Sequence, residues 1–427
     1  MQLKSYIHPL LHKDDKLKIR ADLSKENEGD KNMHACKKAS IGIVTPPMSQ
    51  ANIIPTWNLL NIVSRLTNNV YFIAVNATQN SLQNNRVIRK RNSNVIIYET
   101  VYSSGKNVFA RVLKYFQAQL WASLQVLRVL KNVDFWIFYL GDALILPMLV
   151  TKILRQRVVL IIGGFMKGEI ELRNDFLGRI PMLFKKINCV MSDVIVIYSE
   201  NLIKEWNLEK YSNKISVAHR HFLDFNKVKL QKQLSDRERV IGYIGRLSEE
   251  KGAFNFVQAI PKVLDKESDV RFIIGGDGDL FSKVKEFVNE NELDEKVKLL
   301  GWIPHDNLPT YLNELKLLVL PSFTEGLPNI MLEAIACGTP VLATSVGAVP
   351  DVIKDCETGF IMKNNSAKCI AENIIKVLHY PKIGEIVKNA RGLVEKEFRY
   401  EATVEKWKEI LNSFVARWCQ NSIGMQN

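Results

Sequence analysis

Short, wholly apolar runs alternate with longer helical stretches along most of this 427-residue chain, and that alternation leaves few folds open. In the first half the runs are 41–45, 70–75, 95–98, 136–140, 158–162, 194–197 and 215–218; in the second they are 240–245, 271–274, 297–300, 317–320 and 341–343. They are rich in Val, Ile and aromatic residues and show little polar alternation. Such strands are buried on both faces, which happens when helices cover a parallel sheet. Helical windows such as 108–130 supply the cover. The polar stretch 225–238 (FNKVKLQKQLSDRE) separates the two series. The expected fold class is therefore α/β, with two Rossmann-like doubly wound parallel-sheet domains facing a cleft. The divisions are a mobile polar extension over 1–39, a first domain over 40–224, a linker over 225–238, a second domain over 239–400 and a closing helix over 401–427.

Hydrophobic residues make up 47% of the chain and charged residues 24%, enough to bury two cores. The cysteines at 36, 189, 337, 356, 369 and 419 form no CxxC pair and no zinc spacing, which fits a reducing compartment. No apolar core of a secretory signal appears in the mixed charges of 1–39. The most apolar run, 133–150, is broken by Asp134, Asp142 and Pro147, so no spanning helix is expected there. The net charge of +13 is uneven: residues 1–230 hold 33 Lys+Arg against 17 Asp+Glu, and residues 231–427 hold 25 against 28. A basic first half suits an anionic acceptor or surface, or a solvated face. Clusters at Arg86, Arg89, Lys90 and Arg91, and at Lys185 and Lys186, point to the inner face of a membrane. No motif with interleaved aromatics supports nucleic acid.

Ligands of doubly wound folds sit beyond the carboxyl ends of the strands, so two loops stand out. Strand 240–244 runs into GRLSEEKG, Gly245 to Gly252. Arg246 offers a planar fork for phosphate oxygens and Lys251 a point charge at the start of the next helix. Strand 317–320 runs into PSFTEGLPNIMLEAIACG. Pro328 suits the first turn of a helix and Gly338 its end. That puts Glu325 before the helix and Glu333 within it, among Met331, Ala334 and Ile335. The amides of Gly326, Leu327 and Asn329 then stand at the helix start as an anion site. Glu325 suits the hydroxyls of a sugar, and Glu333 the diol of a ribose.

GRLSEEKG at 245–252, GGDGD at 275–279, GWIP at 301–304, LPSFTEGLPNIMLEAIACGTPVLAT at 320–344, SVGAVPDVI at 345–353 and ETGF at 357–360 agree in order and spacing with one family. The chain resembles the retaining glycosyltransferases of family 4, the group 1 glycosyltransferases, with the GT-B fold. The resemblance implies a nucleotide-sugar donor, a saccharide or lipid-linked acceptor, no cofactor and no metal. By it Arg246 and Lys251, with the amides of Gly326, Leu327 and Asn329, bind the donor diphosphate. Glu325 is catalytic, near the transferred sugar; Glu333 holds the ribose; Trp302 and Ile303 lie beside the base. The last helix crosses back to the first domain, which takes the acceptor. The expected activity is hexosyl transfer to a hydroxyl with retention, in cell-surface glycan or glycolipid synthesis, by a cytoplasmic protein peripheral on the inner membrane face. A sugar-nucleotide epimerase of the same fold is the alternative, and a nucleic-acid-binding protein a more distant one.

The first half departs from the family. Where a glycine-rich loop often follows the first strand, it reads TPPMSQAN, 45–52, and where many members carry a histidine it reads Gly163-Gly164. Three features read as decoys. Asp277-Gly278-Asp279 mimics a metal-binding DxD but sits in a βα turn. His219 and His221 lack a third ligand. Asp142 is read as a helix cap.

Overall fold

The computed structural model describes residues 39–47, 53–76, 93–102, 108–163 and 179–423. The extension expected over 1–39 lies outside them but for its last residue, as do Arg86, Arg89, Lys90, Arg91 and residues 424–427.

Two parallel sheets form the molecule. The first holds β1 (Ile41–Val44), β2 (Val70–Asn76), β3 (Val95–Val101), β4 (Phe135–Tyr139), β5 (Val158–Ile161), β6 (Val194–Ile197) and β7 (Ile215–Val217), in the order β3-β2-β1-β4-β5-β6-β7. The second holds β8 (Val240–Ile244), β9 (Arg271–Gly275), β10 (Val297–Gly301), β11 (Leu317–Leu320), β12 (Val341–Thr344) and β13 (Phe360–Met362), in the order β10-β9-β8-β11-β12-β13. Pairing is parallel throughout, as in β1 on β4, where Ile41 meets Phe135, and in β8 on β9, where Val240 meets Arg271. Strands β1, β4, β5, β6, β8, β11 and β12 are buried at every residue, which is why they read as unbroken apolar runs. Strand β13 escapes the sequence reading because its three residues, beginning at the last residue of ETGF, are too few to give a pattern.

Strand order reverses between β1 and β4, and again between β8 and β11. Loops diverge at such points and leave a crevice beyond the carboxyl ends. The loops after β8 and β11 are the two singled out above.

Helices α1 (Ile53–Leu66), α2 (Val108–Val129), α3 (Ile145–Ile153) and α4 (Arg179–Met191) belong to the first sheet, and α5 (Ala253–Leu264), α6 (Asn329–Ala336) and α7 (Ile383–Glu397) to the second. The last helix, α8 (Tyr400–Ile423), packs against α1. Its Val404, Trp407, Leu411, Phe414 and Val415 join the core of the first sheet, with the Phe414 ring 5.2 Å from that of Phe135. The stretch over 225–238 is tied down by Arg237, which is 4% exposed. Its guanidinium donates to the carbonyls of Lys232, Leu315 and Cys337 and to Thr339 Oγ1.

Lys185 is no surface cation. It is 7% exposed, with Nζ 5.0 Å from the centre of the Trp206 ring. Lys186, beside it, is exposed.

Candidate active site

The loop after β8 passes through a short turn, Glu249–Lys251, before α5 begins. Lys251 Nζ lies 2.9 Å from Glu325 Oε2, and Ser322 Oγ donates to Glu325 Oε1 at 2.7 Å. The amide of Phe323 donates to the Glu250 carbonyl at 2.9 Å. The two loops at the β8/β11 crevice are therefore one packed unit, and Lys251 and Glu325 are brought together as a pair. Arg246 is 55% exposed at its side chain and bonds Glu250 Oε1 at 3.0 Å. Both cations thus already have a carboxylate. A pair as open as Arg246 with Glu250 is worth under about 1 kcal/mol, whereas a hydrogen bond to a charged phosphate is worth about 1.5–3 kcal/mol. Arg246 is therefore the cation more easily drawn away by an anion. The Lys251–Glu325 pair, 25% and 11% exposed, is held more firmly and fixes where the carboxylate points.

Helix α6 starts at Asn329, with Pro328 extended (φ −70°, ψ 119°) as its N-cap instead of lying in the first turn. A proline at this cap costs no bond, since the first amides of a helix lack an intrahelical partner anyway. Among the described residues the amides of Gly326 and Leu327 donate to no backbone carbonyl. They stand free beside the positive end of α6. The Leu327 side chain is buried and Asn329 is exposed.

Glu333 is 8% exposed at its side chain and bonds His305 Nε2 at 2.9 Å. That hydrogen bond, with desolvation opposing it, holds the His305 pKa above its usual 6.5. The 28-residue gap between the two gave no sequence signal for His305. Trp302 and Ile303 part company: Trp302 is 74% exposed, while Ile303 is buried, and a Cβ built at Gly275 would stand 2.4 Å from Ile303 Cδ1. Only the indole is free to meet a base.

The GGDGD turn serves the backbone. Gly276 has φ +125°, and a Cβ there would stand 1.8 Å from the Gly245 carbonyl oxygen. The Asp277 carbonyl accepts from the Leu247 amide at 2.9 Å, and its side chain from the Gly278 amide at 2.8 Å. Among the described residues no group of three His, Cys, Asp or Glu side chains is placed to hold a metal ion.

The first sheet meets this unit at its carboxyl edge. A Cβ at Gly326 would stand 3.3 Å from the Gly163 carbonyl oxygen and 3.7 Å from Tyr198 Cδ2. Glu205 accepts from the Gly347 amide at 2.9 Å, and Asn201 donates to Asp351 at 2.8 Å. The glycine at 163 has a packing cause: a Cβ there would meet Leu140 Cδ2 at 1.7 Å. Leu140 itself is held at φ +51°. Asp142 falls in the turn Gly141–Ala143, and its side chain lies outside the described residues.

Three residues after β7 line the same edge. Arg220 is 5% exposed, with its guanidinium 5.0 Å from the Tyr139 ring and 4.5 Å from the Tyr198 ring. Its Nε and Nη1 have no acceptor among the described residues, nor does the buried hydroxyl of Thr45 have a partner. His219 stacks on Phe398 at 4.5 Å, and its Nδ1 lies 3.0 Å from the His221 carbonyl. Burial pushes the His219 pKa down to about 4 and that of His221 well below the usual value. Both rings are neutral parts of the core. The sequence offered no sign that Arg220, between them, would be buried.

Comparison with known proteins follows the same division. The family described as glycosyl transferases group 1 matches residues 224–393. The capsular polysaccharide biosynthesis glycosyltransferase CapM of Staphylococcus aureus is 30% identical over 271 residues, 58% of this chain and 68% of that protein. The N-acetyl-alpha-D-glucosaminyl L-malate synthase of Bacillus anthracis is 29% identical over 231 residues, 51% of this chain and 59% of that protein. The chain thus spans about three-fifths to two-thirds of the length of these curated relatives. Among solved structures, Anabaena HepE in complex with UDP superposes with a TM-score of 0.70 at 15% identity, covering 88% of this chain and all of the other. Sucrose-phosphate synthase of Thermosynechococcus elongatus gives 0.66 at 16% identity, covering 89% of this chain and all of the other. At such identities these two show a common fold, the GT-B pair of parallel-sheet domains.

Proposed function

The chain belongs to the glycosyl transferases of group 1, and from that membership we propose that it moves a hexose-type sugar from a nucleoside-diphosphate donor to a hydroxyl of a saccharide or lipid-linked acceptor, with retention of configuration as in family 4. The observation that carries this reading is the packed unit at the β8/β11 crevice. There Lys251, Glu325 and the open amides of Gly326 and Leu327 come together, with Gly326 facing the Gly163 carbonyl just past the carboxyl end of β5.

In this reading the donor diphosphate lies on the amides before α6, with Arg246 swung from Glu250 onto its oxygens and Lys251 beside them. Negative charge grows on the diphosphate as the bond to the sugar breaks, so these groups act most strongly in the transition state. Glu325 holds the hydroxyls of the departing sugar, Glu333 the ribose and Trp302 the base. The leaving diphosphate takes the proton of the acceptor hydroxyl, and the reaction needs no metal. The acceptor enters from the first sheet, where Arg220 and the Thr45 hydroxyl supply unpaired donors.

The Staphylococcus aureus relative, a capsular polysaccharide biosynthesis glycosyltransferase, supports a role in cell-surface polysaccharide or glycolipid synthesis, and the UDP and UDP-glucose bound by HepE support a nucleotide-sugar donor. We place the protein in the cytoplasm at the inner membrane face; among the described residues no helix is long and apolar enough to cross a membrane. Steady-state kinetics of Arg246→Ala and Glu325→Ala test the assignments. Each is expected to lose about 30- to 1,000-fold in turnover. Near-normal turnover in both folded variants overturns the roles, and epimerised donor formed without acceptor overturns the activity.

A further inference from the structure

We propose that the outer face of α2, α3 and α4 docks onto a lipid bilayer carrying anionic headgroups. The inference deepens the membrane placement proposed above by naming the face that docks, and its test does not depend on the sugar-transfer chemistry. Helix α2 is amphipathic in reverse. Ala118, Ala122, Val126 and Val129 pack inward, all at 8% exposure or less. Its larger apolar side chains point out: Phe109 is 79% exposed, Leu113 50%, Phe116 39%, Leu120 56%, Leu124 54% and Leu127 41%. Their spacing of four, three, four, four and three residues keeps them on one stripe of a helix with 3.6 residues per turn. The neighbouring helices widen the patch. Helix α3 packs on α2 and on α4, and they add Ile153 at 76%, Leu183 at 55% and Val190 at 65%. A lone exposed leucine needs no explanation, but a contiguous ridge across three helices marks an interaction surface.

Charge selects the occupant. None of the three helices, of 22, 9 and 13 residues, contains an Asp or Glu. Arg111, Arg128, Lys131, Arg155 and Lys186 stand exposed on or just beyond them. A second copy of this chain would bring one basic rim against another. A membrane surface supplies both complements at once: an acyl boundary for the apolar ridge and anionic headgroups for the rim. Placement agrees with this partner. A helix joining parallel strands runs opposite to them, so α2 starts at the carboxyl edge of the sheet. The bond from Tyr115 to the Ala143 carbonyl, just past β4, fixes that end there at 3.1 Å. The ridge therefore begins, at Phe109, on the crevice side, where an acceptor anchored in the bilayer would arrive. Of the clusters expected from sequence this surface shares Lys186, while Lys185 is buried and Arg86 to Arg91 are outside the described residues.

The test is flotation of the full chain with vesicles of phosphatidylcholine alone or with about 30 mol% phosphatidylglycerol, at ~50 to ~500 mM salt. The wild type is expected to float with the anionic vesicles only, and less as salt rises. Leu120→Glu/Leu124→Glu changes exposed positions, so folding is checked by an unaltered melting temperature. It is expected to lose vesicle binding about tenfold or more while nucleotide binding is unchanged. Failure of the wild type to float at every salt concentration overturns the proposal, as does a variant that floats like it. So does self-association of the wild type that the variant abolishes without any vesicle binding, which would assign the ridge to a second copy. Loss of glycosyl transfer with flotation intact would count against the activity and leave the surface standing.

Discussion

Replacing Lys251 by methionine removes an ammonium and keeps most of its apolar stem. Lys251 Nζ stands 2.9 Å from Glu325 Oε2, with the side chains 25% and 11% exposed. At that distance two unit charges attract by about 6 kcal/mol at an effective dielectric of ~20, and desolvation of both groups cancels most of it. The variant keeps Glu325 nearly buried with Ser322 Oγ at 2.7 Å and no cation. Breaking a fully buried pair costs about 3–5 kcal/mol; the partial exposure of Lys251 lowers this to roughly 2–3 kcal/mol. In melting temperature that is about 5–10 °C. Turnover falls for a separate reason. A preorganised cation at the departing diphosphate is worth about 2–4 kcal/mol in the transition state, or roughly 30- to 1,000-fold in kcat. The double variant Lys251→Met/Glu325→Gln separates the two effects. It buries no lone charge, so its stability returns to within about 1 kcal/mol of wild type, while its turnover stays low. Thermal melting and release of nucleoside diphosphate at saturating donor measure both. A single variant with kcat within about threefold of wild type refutes the role at the diphosphate, as does a double variant that regains turnover along with stability.

Glu333→Gln is expected to raise the donor KM about tenfold and leave kcat nearly unchanged, since a ribose contact is made equally before and during reaction; an unchanged KM counts against the ribose role. The raised pKa of His305 makes its pair with Glu333 fully stabilising below pH 6.5, and the benefit fades as pH rises through the folded-state value. With the imidazole 52% exposed, the effect is under about 1 kcal/mol. An NMR titration in which Glu333→Gln fails to lower the His305 pKa toward 6.5 refutes it. His219 has the opposite sign. Its pKa of about 4 lies below 6.5, so the unfolded chain takes up the proton first, and stability present above pH 6.5 is lost as pH falls toward 4. The loss is on the order of 3 kcal/mol. Melting curves across that window are expected to be flatter for His219→Gln; equal slopes in both proteins overturn the assignment.

Most of the fold was legible in the sequence because burial on both faces writes itself as an unbroken apolar run. Strands β6 and β11 came out with their observed bounds, and most others were off by one residue at an end, some pairing one residue past the apolar run and some stopping one residue before it ends. At the site, Lys251 and Glu325 could be named because each follows a strand in a loop whose position is set by strand order. Their pairing could not, since 74 positions along the chain say nothing of 2.9 Å across a crevice. His305 was missed for the same reason, 28 positions from Glu333. Lys185 and Arg220 were hidden by charge: a cation suggests water, and here tertiary packing places each against aromatic rings. The stripe on α2 was invisible as well. Periodicity shows that a helix has an apolar side, and only the structure shows which side the sheet covers.

The return of α8 to the first sheet sets an order of assembly. Trp407 is wholly buried in that core and donates from Nε1 to the His219 carbonyl at 2.9 Å, yet 188 residues separate the two. During synthesis the second sheet, whose contacts are complete by α7, can close while the earlier half still waits for its covering helix. The half made first is thus finished after the second, with the face around Phe135 left open to chaperones until α8 emerges.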